Sequence, residues 1–306
     1  MELRHLRYFV AVAEEGSLTI AAEQRLHTAQ PSLSRQIRDL ELEVGVPLLT
    51  RSARGVELTA GGKAFLDHAR LALAQVEAAG DAARRAASPG KACFVMGFLT
   101  GQEMEWLPEA LRILHDALPN IEVMIISQTS PELASGLLRG KIDVAFLRAE
   151  EEASDLAFRP LAREALVAIL PSDHRLAGAA SIRPEDVVGE TFVNVSHTAP
   201  ALKRVIEGYL GKTGLPIAAQ HEADNLAMAI SLVASTRGIA FLPAYAKNFL
   251  PWSVISRPIA GEVPYIDLML GYRKANASAI LKLFLSRVDE LIARVTRGKS
   301  PDHVGG

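Results

Sequence analysis

The sequence predicts an α/β fold class with a helical N-terminal part, one long connecting helix and a larger C-terminal part of two lobes. Three observations carry this prediction. The first 58 residues place apolar side chains at helical spacing between glycine breaks and serine or threonine caps. Residues 59–85 are an almost unbroken run of helix formers. From Cys93 onward, short apolar runs alternate with amphipathic stretches, as in parallel sheets covered by helices.

The composition indicates a folded protein of more than one domain. The chain has 306 residues, 49% of them hydrophobic, which is enough for more than one core. The chain has 33 Lys and Arg residues and 35 Asp and Glu residues, so its charges nearly balance. This balance disfavours a nucleoid protein that wraps DNA by bulk charge, and any DNA site must be a local patch. There is no signal-peptide pattern and no long apolar run, and Cys93 is the single cysteine. We therefore expect a cytoplasmic protein without a membrane span.

Three short helices are predicted at the N-terminus. The first covers residues 3–13, and Ser17 caps a short second helix after the break at Gly16. Thr28 offers the cap of a third helix over 29–43, with Pro31 in its first turn. The third helix has one apolar face, at Leu33, Ile37, Leu40 and Val44. Its other faces are left free to contact a partner.

A hairpin wing and a long helix follow. Strand-like runs at 48–50 and 56–59 flank a turn that contains Arg51 and Arg54. The long helix begins at Thr59, which is expected to be its N-cap. It spans roughly 40 Å at about 1.5 Å per residue, so its apolar stripe needs another chain or domain to cover it. Leu73 and Val76 lie on that stripe. We interpret this helix as a linker through which two subunits pair.

The C-terminal part is predicted to form two lobes. Strands of the first lobe are expected at 94–98, 121–127 and 143–147, and of the second at 191–195, 218–222 and 239–243. Helices are expected up to Ala117 and over 131–139, 199–210, 226–234 and 278–295, with a last strand at 266–272. The predicted domains are 1–58, 59–89 and 90–306, with lobe I at about 90–161 and 266–306 and lobe II at about 162–265.

The N-terminal 60 residues resemble the signature of LysR-type transcriptional regulators. The similarity is carried by the segment from Phe9 to Ser17, by Ala21-Ala22, by Gln30-Pro31-Ser32-Leu33-Ser34-Arg35-Gln36-Ile37 and by Leu58-Thr59-Ala60-Gly61. The downstream lobes, ending in Gly238 to Pro243, are also similar to the family's effector domain. The resemblance implies a winged helix-turn-helix followed by a two-lobed, periplasmic-binding-protein-like effector domain. It also implies promoter DNA, a small-molecule effector, RNA polymerase and further copies of the chain, in a homodimer or homotetramer, as partners.

Candidate DNA contacts lie at the start of the third helix. A Gln amide or an Arg fork can pair with two base-edge atoms in the major groove, which suits Gln30 and Arg35. Hydroxyl groups donate to phosphates, which suits Ser17, Thr28, Ser32 and Ser34. The resemblance places the family's contacts on Gln30, Pro31, Ser34 and Arg35, and its wing arginine on Arg54.

Candidate effector contacts are two helix starts that follow strand ends, where free N–H groups and the helix dipole attract an anion. They comprise Thr100, Gly101 and Gln102 at the first start, and Thr129 with Ser130, an expected N-cap, at the second. The family resemblance adds Arg148, whose guanidinium would clamp a carboxylate. Ser196, His197 and Thr198, which follow a strand and precede a helix, and Phe241 complete the set from the second lobe. None of these residues supplies a negative charge, so we expect a small carboxylate effector, with aromatic carboxylates among the candidates.

Two other functions use the same cleft. A cytoplasmic enzyme would make Asp143, Ser196 or His197 catalytic, but no nucleophile or acid–base pair has a recognisable spacing. A solute-binding protein would need a signal peptide. No cofactor is expected, and no histidine pair has metal-ligand spacing.

Overall fold

The computed structural model describes residues 1–52, 55–87, 93–149 and 154–298 of the chain. Met1–Ser88 and Pro89–Gly306 form two compact units. In the described part, no helix combines the length and apolar content that crossing a membrane requires.

The N-terminal unit contains the predicted helices, the hairpin and the long helix. Its elements are α1 Leu3–Glu15, α2 Leu18–Ile20, α3 Gln30–Val44, β1 Leu49–Ser52, β2 Gly55–Leu58 and α4 Ala60–Ala87. The Ser17 hydroxyl accepts the N–H of Ile20, which confirms that cap. Thr59 likewise caps α4 by accepting the N–H of Gly62 at 2.8 Å. The predicted cap at Thr28 is wrong, because α3 begins one residue later, with Ala29 in the N-cap position.

The second helix ends in a wider turn than an α-helix has. After α2 the chain forms a π-helical turn over Ala21–Arg25, in which the N–H of Leu26 reaches back to the carbonyl of Ala21. The helix is wider here because this hydrogen bond spans five residues, whereas an α-helical hydrogen bond spans four. The chain then reverses at His27, whose φ of 49° is left-handed, and enters α3.

The core of the N-terminal unit lies between α1, α3 and α4. Phe9 is fully buried and meets the Phe65 ring edge to face at 5.2 Å. The apolar face of α3 is buried as predicted, at Leu33, Ile37 and Leu40. The Glu41 carboxylate accepts the main-chain N–H groups of Leu48 and Leu49, at 2.8 and 3.0 Å. This contact fixes the chain where it leaves α3 and enters the wing.

The C-terminal unit is a mixed sheet with helices around it. Its strands are β3 Cys93–Leu99, β4 Glu122–Gln128, β5 Val144–Leu147, β6 Leu156–Pro171, β7 Phe192–Val195, β8 Ala219–Ala223, β9 Ile239–Pro243, β10 Val254–Pro258 and β11 Tyr265–Arg273. Its helices are α5 Glu103–Ala117, α6 Ser130–Leu138, α7 Pro200–Thr213, α8 Leu226–Thr236, α9 Ala279–Ser286 and α10 Val288–Gly298. The predicted last helix is thus two helices, which meet at Arg287.

Each lobe contributes parallel strands, as predicted, and antiparallel strands join the two lobes. The order along the sheet is β4-β3-β5-β11-β6-β9-β7-β8, with β10 also paired to β6. The first three strands are parallel to one another, and so are β7, β8 and β9. Both β11 and β6 cross between the lobes and run antiparallel to each other.

The sequence did not predict β6, although it is the longest strand. Arg159, Pro160, Arg163 and Glu164 interrupt its apolar pattern, and the register against β11 shifts between Leu268 and Met269, opposite Pro160. Proline has no N–H for the ladder, so a bulge at this point is the expected consequence. The predicted lobe limit near residue 161 falls inside this strand, and the domain boundaries remain a prediction.

Candidate DNA interface and effector cavity

The start of α3 exposes most of the residues predicted to contact DNA. Pro31, Ser32 and Arg35 are exposed, and Gln30 is partly exposed. The side chain of Arg35 is 80% accessible, and its closest carboxylate, on Asp39, is 4.0 Å away. A pair of that kind contributes between zero and about 1 kcal/mol, so the guanidinium is available to a partner.

The other four predicted DNA residues are Ser17, Thr28, Ser34 and Arg54. Ser34 is 6% exposed because it faces the core side of α3, so it presents little hydroxyl surface. Ser17 and Thr28 are partly exposed, and the Ser17 oxygen is already used as the cap of α2. Arg54 lies outside the described residues. Gln30 and Arg35, the two residues predicted to read bases, are thus both accessible at the start of α3.

The long helix presents apolar side chains at some positions but not at all those predicted. Leu73 packs against the core of its own unit and is not part of a free stripe. Leu71 and Val76 are 51% and 41% exposed. In the first half of α4, the Arg70 guanidinium donates to Glu14 at 2.7 Å, and Arg25 pairs with the same carboxylate. These contacts tie both α4 and the π-helical turn to α1.

A cavity of about 100 Å³ lies between the two lobes of the C-terminal unit. The first lobe contributes its more polar wall, formed by Leu99, Thr100, Thr129, Ser130 and Arg148. The second lobe contributes mostly apolar groups, among them Val195, Leu202, Leu226, Leu242, Pro243 and Tyr245. An apolar cavity with a few polar groups at one side is the usual form of a small-molecule site.

The two helix starts are already occupied by carboxylates of the chain itself. Glu103 accepts the N–H of Gly101 at 2.7 Å, and Glu132 accepts the N–H of Thr129 at 2.9 Å. The expectation that no negative charge stands at these positions is wrong. The pKa of the Glu132 carboxyl lies below its ordinary value, because it accepts from the hydroxyl of Thr129 and then from its main-chain N–H.

Ser130 lines the cavity in a role other than the predicted one. Thr129 is the N-cap of α6, and Ser130 is its first helical residue. The Ser130 hydroxyl oxygen accepts the main-chain N–H of Arg148 at 2.9 Å. This contact links the start of α6 to the end of β5.

Arg148 is the charged residue buried at the cavity wall, with 4% of its surface exposed. Its guanidinium forms an ion pair with the buried Glu164 of β6. Gln102 is fully buried beside them, and its amide nitrogen donates to both carboxylate oxygens at 3.3 and 3.4 Å. The Nη1 nitrogen of Arg148 has no hydrogen-bond partner among the described residues. One N–H-bearing nitrogen of the pair is therefore unsatisfied.

Of the predicted second-lobe residues, Thr198 lines the cavity, whereas Ser196 and His197 lie beside it. The Ser196 oxygen accepts the N–H of Thr198 at 3.2 Å, and it is Thr198 that lines the cavity. His197 is exposed on the surface of the unit. Likewise Gly101 and Gln102 are outside the lining, and Gln102 acts through Glu164.

The prediction for Phe241 is corrected by the structure. Its ring is buried in the core of the second lobe, 5.3 Å from Phe192 and 6.0 Å from Tyr209. Successive residues of a strand point to opposite faces, so its neighbour Leu242 faces the cavity instead.

No group of three or more His, Cys, Asp or Glu side chains in the described ranges is arranged to hold a metal ion.

Burial raises the pKa of Tyr245 to about 12, so its hydroxyl remains a neutral donor at physiological pH.

Comparison with known proteins decides the family. The family model "Bacterial regulatory helix-turn-helix protein, lysR family" matches residues 3–63, and "LysR substrate binding domain" matches residues 94–292. The chain belongs to the LysR family. This confirms the resemblance seen in the sequence, and LysR proteins are transcriptional regulators rather than enzymes.

Full-length relatives agree with this LysR assignment. The chain is 36% identical over 297 residues to the Hca operon transcriptional activator HcaR of Escherichia coli (strain K12), covering 97% of this chain and 100% of the relative. It is 35% identical over 286 residues to the HTH-type transcriptional regulator AlsR of Bacillus subtilis (strain 168), covering 93% and 94%. It is similar in structure to CbnR, a LysR family regulator, with a TM-score of 0.64 at 26% identity and coverage of 95% and 99%.

Sequence reasoning missed part of the effector cavity of this LysR protein. Asn225 could have been found, because it follows a strand and precedes a helix, the signal that led to Thr100, Thr129 and Thr198. Asn225 caps α8 by accepting the N–H of Met228 at 2.9 Å. Tyr245 carried no such signal, since only the fold brings the turn after β9 to the cavity.

Proposed function

We propose that this LysR-type regulator reads promoter DNA with Gln30 and Arg35 of α3 and responds to a small carboxylate held in the effector cavity. The changed response reaches RNA polymerase at the promoter. The observation that carries the effector class is the Nη1 of Arg148, a buried cationic nitrogen that has no hydrogen-bond partner among the described residues. A buried donor left unsatisfied costs free energy, and a ligand carboxylate would satisfy it with a charge-assisted hydrogen bond.

The rest of the cavity favours an effector with an apolar body. Its second-lobe wall is mainly alanine and leucine, with Val195, Pro243 and the Tyr245 ring, and its polar members are Thr198, Asp224 and Asn225. A cavity of about 100 Å³ is of the order that holds one six-membered ring, since an engineered cavity of about 150 Å³ in another protein binds benzene. Thr100, Thr129 and Thr198 also line this space, and the hydroxyls of Thr129 and Thr198 donate to Glu132 and to the carbonyl of Asp224. An aromatic monocarboxylate would match the Arg148 donor, the apolar wall and the volume of the cavity.

Assembly is the second part of the proposal. Leu71 and Val76 expose apolar surface on α4, and a helix of 28 residues is long enough to pair with its counterpart in another subunit. Pairing would hold two α3 helices at a fixed spacing on the two half-sites of a promoter.

Calorimetric titration of the full-length protein tests the effector class. Benzoate and benzamide have the same ring and nearly the same shape, and they differ in charge. We expect benzoate to bind at least ten times more tightly than benzamide, because only the carboxylate pairs with Arg148. Equal affinities would refute the carboxylate. A duplex selected from random sequence, titrated with and without benzoate, then shows whether binding changes DNA affinity or footprint.

A further inference from the structure

A second cavity, of about 800 Å³, lies on the other side of the Arg148–Glu164 pair. Its walls are β6, α5, α10 and the turn after β9, and they carry charges of both signs, including Glu105, Arg163, Lys247 and Arg294. The effector cavity is small and mainly apolar, whereas this cavity is large and polar. A ligand that reached from one into the other would meet a different environment.

Tyr245 is the one described residue that lines both cavities. Its ring stands at 6.3 Å from Phe249 in an edge-to-face contact. It also closes over Gly101, where a Cβ atom would lie only 2.9 Å from Tyr245 Cε2. Gly101 has a φ of 95°, so a side chain there would be strained as well as obstructed. The ring is therefore held in its position from two sides.

The ring stands next to the group that would hold a ligand's charge. Tyr245 lines the effector cavity together with Arg148, and it lines the second cavity together with Glu164, the ion-pair partner of Arg148. A carboxylate bound at Nη1 of Arg148 would therefore have Tyr245 beside its head group rather than beside its far end. Leu202 and Leu226 also line the effector cavity, and neither of them lines the second cavity.

The geometry points to Tyr245 as the residue that sets which carboxylates fit, by excluding effectors that are bulky next to the carboxyl group. The inference rests on the proposed carboxylate effector and adds the position at which its size is limited. Removing the ring would join the two cavities and create room beside the head group. It would create none at the far end.

Two isomers of one probe distinguish room beside the carboxyl group from room at the far end of the ligand. Biphenyl-2-carboxylate carries its second ring next to the carboxyl group, and biphenyl-4-carboxylate carries it at the far end. Full-length wild-type protein and its Tyr245→Leu variant are titrated with benzoate and with both isomers. We expect wild type to bind benzoate and neither isomer, and Tyr245→Leu to bind the 2-isomer at least ten times more tightly than wild type does, while it still excludes the 4-isomer.

Matched variants distinguish a lost ring from a loosened lobe. Tyr245→Phe keeps the ring and should keep the exclusion of both isomers. Tyr209→Leu removes a half-buried tyrosine ring of the same lobe that lines neither cavity, and it should behave as wild type. If Tyr245→Leu does not fold, Tyr245→Met takes its place, because a flexible side chain also leaves the space beside the head group open.

The outcomes separate the two proposals. Absence of benzoate binding to wild type would refute the carboxylate effector, and the role of Tyr245 would fall with it. Benzoate binding together with an unchanged exclusion of the 2-isomer in the leucine or methionine variant would refute the role of Tyr245 alone. Entry of both isomers into the variant would also refute it, since that result indicates general loosening.

Discussion

Replacing Arg148 by methionine should destabilise the C-terminal unit strongly, apart from any effect on the effector. The structure gives the reason: Glu164 is 7% exposed, and its ionised carboxylate is compensated by Arg148 and by a long contact with Gln102. Removing one partner of a buried ion pair leaves the other charge without compensation, which typically costs about 3 to 5 kcal/mol. For a unit of this size, each kcal/mol lowers the melting temperature by about 2 to 4 °C. The expected fall is therefore roughly 6 to 20 °C.

A second substitution should recover most of that loss. In Arg148→Met with Glu164→Gln, no charge is left buried, and the amide oxygen at position 164 can still accept from Gln102. Buried ion pairs replaced by uncharged groups of similar size are often no less stable than the original. We expect the double variant to lie closer to wild type than either single variant does. The effector should remain unbound, because the donor on Arg148 is absent in both.

Tryptophan fluorescence measures this unit selectively. The chain has two tryptophans, Trp106 and Trp252, and both belong to the C-terminal unit. Trp106 is buried 5.8 Å from the Phe146 ring, so unfolding changes its surroundings, and Trp252 is 93% exposed and contributes a nearly constant signal. A single variant that melts with wild type, or a double variant no more stable than the Arg148→Met single variant, would refute the buried-charge argument.

Three further predictions concern other surfaces. Gln30→Ala and Arg35→Ala should each cost about 1 to 3 kcal/mol of discrimination between a selected duplex and a scrambled one, measured by fluorescence anisotropy. Leu71→Asp combined with Val76→Asp should lower the mass seen by analytical ultracentrifugation to that of one chain, because charges would be placed in the seam between subunits. Glu132→Gln should lower the stability of the C-terminal unit at pH 7 by less than about 1 kcal/mol, since the side chain is exposed and solvent screens its contacts. The pKa of Glu132 is lowered on folding, so its contribution is present above the ordinary value of 4.5 and is lost as the pH falls through the folded value.

Each of these predictions has a control. Arg112→Ala removes an exposed arginine of the C-terminal unit and should leave discrimination between duplexes unchanged. Equal losses of discrimination in Gln30→Ala, Arg35→Ala and Arg112→Ala would contradict the role of α3. Circular dichroism should show that the paired aspartate variant keeps its helices, and an unchanged mass would exclude α4 as the seam. Glu122→Gln alters an exposed carboxylate on β4, and its stability should follow wild type at every pH. If the stability of Glu132→Gln also follows wild type at every pH, the contact between Glu132 and Thr129 contributes nothing to the stability of the unit.

The sequence predicted most elements because their signals are local. The caps at Ser17 and Thr59 and the apolar face of α3 depend on residues within one or two turns, and all three are confirmed. The helix-start rule found Thr100 and Thr129 in the cavity wall. The same rule overlooked Glu103 and Glu132, which lie inside the helices and turn back onto their own starts.

What the sequence did not predict depends on contacts between distant residues. Arg148 and Glu164 are 16 positions apart and meet because β5 and β6 both flank β11. Tyr245 reaches the cavity only because β9 pairs with β6. Phe241 was misplaced because the sequence shows a strand but does not show which of its faces looks into the cavity.

The path of the chain makes the second lobe an insertion within the first. The chain enters that lobe along β6 and returns along β11, and at the crossing Ala165 lies opposite Tyr265. The N–H of Leu166 donates to the carbonyl of Pro264 at 2.8 Å, so the two connections are neighbours in one ladder. A segment whose ends lie side by side can be exchanged without altering the fold that receives it. A chimaera joined at these two positions would keep Arg148 and acquire a different apolar wall, so sensors with new ligand preferences could be made by grafting one lobe.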